Sequence, residues 1–410
     1  MKYKKTVFYI LFLFFSTTFS QQLSEIVDTR IGTKGESLAC GYSFIGATYP
    51  FGMVQFTPSF FSPQKGFVVT QLSGAGCSNM GNFPVVPMAG NLKDSPFNMN
   101  SLDPFESVNN ASAGYLSVNS KDDITSRLTV TKRSAIAQFK FKNSKKGTII
   151  IGSGVNSSDA KHIKNSEINI TSSTTCEGFT EGGDFCGTET PYKVYFAAEF
   201  DRPANELGTW SGNELTQSLI NKGKNSGAFF TFSTENNNEV NYRIAISFVS
   251  IENAKENLMS EKLNTSFDGY LTNTQNVWNK HLSKIKISTT NDDKKIQFYT
   301  NFYHSLIHPN IVSDINGDYM GADFKVYNNS NGKEHYSSFS VWDTYRTQAQ
   351  LLAMLFPKES SEMMQSLVNF AEQAGGYGRW ILANIETGIM QGDPTPILIS
   401  NSFAFGAKDF

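Results

Sequence analysis

The sequence has 410 residues, a formal net charge of -2 and 13% aromatic residues, among them 34 Phe and 16 Tyr. A near-neutral chain offers no electrostatic reason to bind nucleic acid, and its length exceeds what one core normally organises, so two domains are expected. The aromatic content suits large cores and sugar stacking alike.

The start reads as an export signal over residues 1–20. Lys2, Lys4 and Lys5 precede an apolar stretch from Val7 to Phe15 and a small, polar run to Ser20, with cleavage near Ser20–Gln21. The apolar stretch falls short of the roughly 20 residues that span a bilayer, and no later segment offers a stable span. A periplasmic or secreted destination follows. Of the four cysteines, Cys176 and Cys186 close a short loop rich in Gly and Thr, so a local disulfide between them is one expectation, although spacing alone does not fix pairing.

From about residue 23 to 250 the apolar pattern has period two with frequent turns. Leu128 and Val130, then Ala135, Ala137, Phe139 and Phe141, predict a strand pair around Lys132–Arg133. Val240, Tyr242, Ile244, Ile246 and Phe248 predict a half-buried strand. Thr148–Ile151, Val194–Phe200 and Ala228–Phe232 add others, and the sum suggests a β-sandwich domain over 21–262.

The period then changes. Phe267, Tyr270, Leu271, Trp278 and Leu282 share one helical face, within a linker helix region over 263–295. After a polar connector, Ile296, Tyr299, Tyr303 and Leu306 do the same. Trp342, Tyr345, Ala349, Leu352 and Phe356 predict a third helix ended by Pro357; Met364, Leu367, Val368 and Ala371 predict a fourth ended by Gly375–Gly376. The second domain, 296–410, is therefore expected to be helical.

Three loops gather polar residues. Asp314 to Lys325 carries Asp314, Asp318 and Asp323 but lacks the spacing and closing Glu of an EF-hand, so a solvated turn is expected. Trp342-Asp343-Thr344-Tyr345-Arg346 offers a stacking face, a hydroxyl acceptor and a donor fork, which suit a pyranose; Asp343 also suits a helix N-terminus on electrostatic grounds alone. Gly375 to Pro394 brings Arg379, Trp380, Asn384, Glu386 and Asp393 close in sequence, as a pocket wall or as an interhelical loop whose charges pair with each other. In the first domain the glycine-dense Ser43–Val54 and Leu72–Cys77 segments can approach a ligand or serve as turns; with no phosphate-loop Lys after them, a nucleotide cradle is not expected.

These segments resemble glycoside hydrolase family 92. The resemblance runs through Ile31–Thr33, Gly46–Gln55, Leu72–Cys77, Pro84–Pro87, Phe298–Thr300, Phe302–His304, Pro309, Trp342–Arg346, Arg379–Trp380, Asn384, Glu386–Thr387, Met390 and Gly392–Asp393, in family order. It implies a β-sandwich packed on an (α/α)6 barrel, with calcium at a site that removes terminal α-linked mannose, most often α-1,2, from an oligosaccharide or glycoprotein glycan with inversion. Trp342, Asp343, Arg379, Trp380, Asn384 and Glu386 would correspond to sugar contacts. Family members usually carry His after Gly-Asp, where this chain has Pro394. The family's acid and base carboxylates lie further along, so the expectation is an incomplete barrel, inactive alone, with exposed apolar helix faces. Glu386 and Asp393 stand as the alternative acid and base pair within the chain. A sugar-binding chain without catalysis is the competing reading, and an (α/α)6 phosphorylase a third.

Overall fold

The computed structural model describes residues 22–33, 41–59, 66–98, 106–155, 161–329 and 331–410. The export signal and Cys40 lie outside the described residues. Among these residues, two antiparallel sheets of eight and nine strands form a sandwich. The predicted pair about Lys132–Arg133 is the hairpin Ile124–Val130 with Ser134–Phe141, in register at Val130 and Ala135. Glu239–Ser247 lies beside Ser134–Phe141, with Tyr242 opposite Ala137. Aromatic rings fill the space between sheets, with Phe83 against Phe196 at 4.5 Å and Phe200 against Phe230 at 4.8 Å between centroids.

Strand alternation fades where a helix covers the outer face of the sheet. Ile251–Ser260 begins on Ser250, whose hydroxyl accepts from the Asn253 N–H, and it sets Ala254 and Leu258 on Ala197 and Ala245. Two small alanines on the strands let the helix sit close, so residues that would otherwise face water are buried.

The helical part packs directly on the sandwich. Phe267–Leu282 approaches Gly114 so closely that a Cβ there would meet Thr274 Cγ2 at 2.6 Å, and Gly114 also has φ +76. Trp278, in the same helix, donates from Nε1 to Thr48 O at 2.8 Å, and Tyr303 of Asp292–His304 lies 4.5 Å from its ring. One buried apolar cluster runs from Phe56 and Phe139 through Trp278 and Tyr303 to Phe370.

Three local expectations are corrected. The helix predicted from Trp342 to Phe356 is two pieces, Val341–Thr344 and Gln348–Leu355. The second piece does end before Pro357, at Leu355 with Phe356 as its cap, and Pro357 also opens Pro357–Ala374, because a residue without N–H and with φ preset fits a first helical turn. Gly375, at φ 78, does close that helix. Second, Cys186 bonds Cys77, and Cys176 is a buried thiol. The stretch between Cys176 and Cys186 is no loop: Thr175–Phe185 is an extended strand, which at about 3.3 Å per residue separates its ends by roughly 30 Å.

Third, Asp314 is 1% exposed instead of lying in a solvated turn. Its carboxylate accepts from Ser247 Oγ (2.7 Å), Asn253 Nδ2 (2.9 Å) and Asn257 Nδ2 (2.6 Å). Burial pushes its pKa up to about 6 against these donors. The following residues do turn, at Gly317 (φ 89), into the hairpin Asp318–Met320 with Val326–Asn328. Next to Asp314, Arg133 is 3% exposed and fastens sandwich to helices: Nε donates to Ser313 O (2.9 Å) and a terminal nitrogen to Glu334 (2.6 Å), while its backbone N–H donates to Glu261 (2.9 Å).

Helix Thr395–Phe405 leaves Ile397, Phe403 and Phe405 exposed. No helix among the described residues is long and apolar enough to cross a membrane.

Candidate active site

The chemistry-bearing loops converge through a short strand pairing. Phe339–Ser340 pairs with Trp380–Leu382, which places Ser340 opposite Trp380. Asp343 follows one helical turn later and accepts from the Ser340 hydroxyl. The pairing therefore brings Asp343 and Trp380, 37 positions apart in sequence, to one cleft. The Trp380 ring rests against Phe185 of the sandwich at 5.4 Å, immediately before the disulfide at Cys186.

That cleft holds about 420 Å³ between the two domains. The sandwich contributes Gly41, Ser43 and Leu72–Gly74; the helical part contributes His304, His308, Pro309, Ser338, Ser340, Asp343, Thr344, Gln348 and Trp380. Burial lowers the pKa of both histidines to about 4, so both are neutral at pH 7. His304 Nε2 and Trp380 Nε1 are buried with no hydrogen-bond partner among the described residues. Buried polar atoms of this kind normally have partners.

The other predicted site residues lie elsewhere. Glu386 is a hairpin staple: one oxygen accepts from the Arg379 (2.7 Å) and Trp380 (3.3 Å) N–H groups, the other from Gly388 N–H (3.1 Å). A carboxylate held by three backbone donors supports Trp380 from behind and is poorly disposed to move protons. Asn384 is buried, donating to Gly321 O at 3.0 Å. Trp342 carries the Arg346 guanidinium 5.7 Å from its ring, and Asp393 sits on the exposed bend before Thr395–Phe405. Trp342, Arg379, Asn384, Glu386 and Asp393 do not line the cleft. Ser43 and Ser73 belong to the two glycine-dense segments noted as able to approach a ligand, whereas sequence reasoning missed His308, Ser338 and Gln348. The available signals were the glycine-dense Leu72–Cys77 segment and the His308–Pro309 step; the pairing of the two across 235 positions left none.

Residues 26–247 match the Glycosyl hydrolase family 92 N-terminal domain, and residues 253–410 match the Glycosyl hydrolase family 92 catalytic domain. The chain belongs to glycosyl hydrolase family 92. This family 92 chain is similar to the solved family GH92 α-mannosidase BT3965 from Bacteroides thetaiotaomicron, at 25% identity and TM-score 0.82, over 92% of this chain and 53% of that one. A structure of BT3965 in complex with mannoimidazole matches at 24% identity and TM-score 0.84, over 95% and 54%. The family GH92 inverting mannosidase BT2199 from Bacteroides thetaiotaomicron VPI-5482 matches at 22% and 0.83, over 95% and 54%. The chain thus spans about half the length of these proteins. No curated protein matches it.

Proposed function

We propose that the cleft is the sugar-holding wall of an exo-acting α-mannosidase that releases terminal α-linked mannose, of α-1,2 linkage, with inversion. The observation that carries this reading is the cross-domain cleft itself, in a family 92 chain, with an indole, a carboxylate and an imidazole on its walls. Asp343 accepts hydroxyl protons from the sugar, Trp380 offers it a ring edge and Nε1–H, and neutral His304 completes the polar contacts. The mannoimidazole complex of BT3965 supports a mannose-shaped ligand for this fold.

Inversion takes two carboxylates about 6.5–9.5 Å apart, and Asp343 is the carboxylate among the lining residues described. The proposal gives the 410 residues binding and orientation, and assigns proton transfer to none of them. Calcium is what the family resemblance implies; among the described residues no group of three His, Cys, Asp or Glu side chains converges, and no residue here is assigned to the ion. No step is routed through it. Export to the periplasm or beyond belongs to the same proposal, supported by the Cys77–Cys186 disulfide.

Two experiments test the reading. Calorimetric titration of the chain with mannoimidazole is expected to show one site, which Asp343→Ala weakens; no binding sinks the proposal. Incubation of the chain with an α-1,2-manno-oligosaccharide is expected to give binding without release, since proton transfer is assigned to none of these residues; release of mannose overturns that assignment and sinks the second reading, a glycan-binding chain without cleavage, which the one carboxylate among the described lining residues favours.

A further inference from the structure

We propose that His308 is a positioning residue for the cleft: carried by the helical part, it holds the Leu72–Gly74 segment of the sandwich in the form that makes one wall. The proposal rests on the sugar-cleft reading above for its consequence, and on the following contacts for its mechanism.

The hydrogen bonds determine which nitrogen of His308 is free to accept. Asn310 donates from Nδ2 to both Gly52 O and Ile307 O, each at 2.9 Å, so its Oδ1 is turned to His308. That oxygen lies 2.5 Å from His308 Nδ1 and can only accept, which places the imidazole proton on Nδ1. Nε2 is left with a lone pair. Ser73 N–H donates to it at 2.9 Å. The orientation of one amide at residue 310 therefore fixes the acceptor that a loop 235 positions earlier requires. The backbone beneath the ring is also held, since Gln348 Nε2 donates to His308 O at 3.0 Å and to Ser305 O at 2.8 Å, and Phe44 meets the ring edge-on at 6.5 Å.

The segment it holds is anchored at either side by the sandwich. Leu72 N–H donates to Asn79 Oδ1 (2.9 Å) and Gly74 N–H to Tyr42 O (2.9 Å), with Gly74 at φ 86, and Cys77 is bonded to Cys186. Ser73 lies between these anchors, and His308 is its partner from across the domain boundary. Removing the imidazole leaves a part-buried N–H without an acceptor and lets the peptide at Ser73 turn. Ser73 and Gly74 line the same cleft as Asp343 and Trp380, so that rotation changes the shape offered to a sugar.

The test uses the whole chain and two readouts, amide hydrogen exchange over residues 70–79 and calorimetric titration with mannoimidazole. His308→Ala is expected to speed exchange at Ser73 while buried sandwich strands keep theirs, and to weaken mannoimidazole binding about tenfold, the loss of one partly buried hydrogen bond. His308→Gln, whose Oε1 can stand where Nε2 stood, is expected to restore both. Exchange at Ser73 unchanged in His308→Ala overturns the proposal, as does exchange that rises equally across the sandwich, or a folded His308→Gln that behaves like the alanine variant in both readouts. Should the wild-type chain bind no mannoimidazole while Ser73 exchange still answers to His308, the sugar reading falls and the loop assignment stands.

Discussion

The boundary between sandwich and helices contains two polar regions of opposite character. Around Arg133 and Asp314 the groups are saturated: Arg133 reaches Ser313 and Glu334, Glu334 also accepts from Ser313 Oγ at 2.7 Å, and three side chains donate to Asp314. In the cleft, His304 Nε2 and Trp380 Nε1 have no partner among the described residues, and Asp343 is exposed. A saturated network fastens two bodies, because any change leaves a buried group stranded. An unsaturated one holds a place for something else. The difference separates stability from binding, and substitutions in the two regions should separate the same way.

The largest stability loss is expected at Arg133. Arg133→Met leaves Glu261 without the Arg133 guanidinium and Glu334 with Lys132 alone, and breaking a buried pair of this kind costs about 3–5 kcal/mol; urea denaturation measures it. Replacing Cys77 and Cys186 together by Ser should cost about 2–5 kcal/mol, read by the same measurement, and should loosen the cleft wall as well. Asp343→Ala is expected to do the reverse of Arg133→Met: binding of mannoimidazole weakens by about 1.5–3 kcal/mol, while stability stays within about 0.5 kcal/mol. A large stability loss in Asp343→Ala would collapse the distinction between the regions.

The smallest effect is a pH dependence. Asp314 is raised to about 6 in the folded chain from an ordinary 3.8, so between those values the folded state binds more protons than the unfolded one. Its contribution to stability therefore falls as pH rises through that window and is lowest above it. Wild type should gain stability relative to Asp314→Asn as pH drops from about 6 to about 4, by on the order of 1–2 kcal/mol. Glu334 works in the opposite sense: burial pushes it up, but Arg133 and Lys132 pull it below its usual range, so its stabilisation is lost on acidification. Comparing denaturation midpoints of the two proteins across pH isolates Asp314.

Local pattern carried much of the fold. Alternation at Val240–Phe248 and the helical faces of Phe267–Leu282 and Met364–Ala371 are one-dimensional signals, and Gly375 ended its helix as its φ freedom suggests. What pattern missed was decided by long-range contact. Pro357 follows the end of one helix, as read, and also opens the next, with only the non-helical Phe356 between them. Cys176 and Cys186 are close in sequence, yet the strand between them points them apart. Asp314 resembled a turn residue because its three donors come from residues 57–67 positions away. In the cleft, Asp343 and Trp380 were visible as unusual residues in loops, whereas Glu386 carried the same signal and serves its own hairpin. His308 offered only the step to Pro309 as a signal, because its role depends on Ser73, 235 positions away.

The Trp278 bond to Thr48 sits within an apolar cluster that runs unbroken through both parts of the molecule. Two bodies sharing one interior have no seam along which to hinge, so heating should produce a single calorimetric peak instead of two. A ligand of the cleft would then meet a slot whose width was set when the chain folded, and admission would depend on fit rather than on closure.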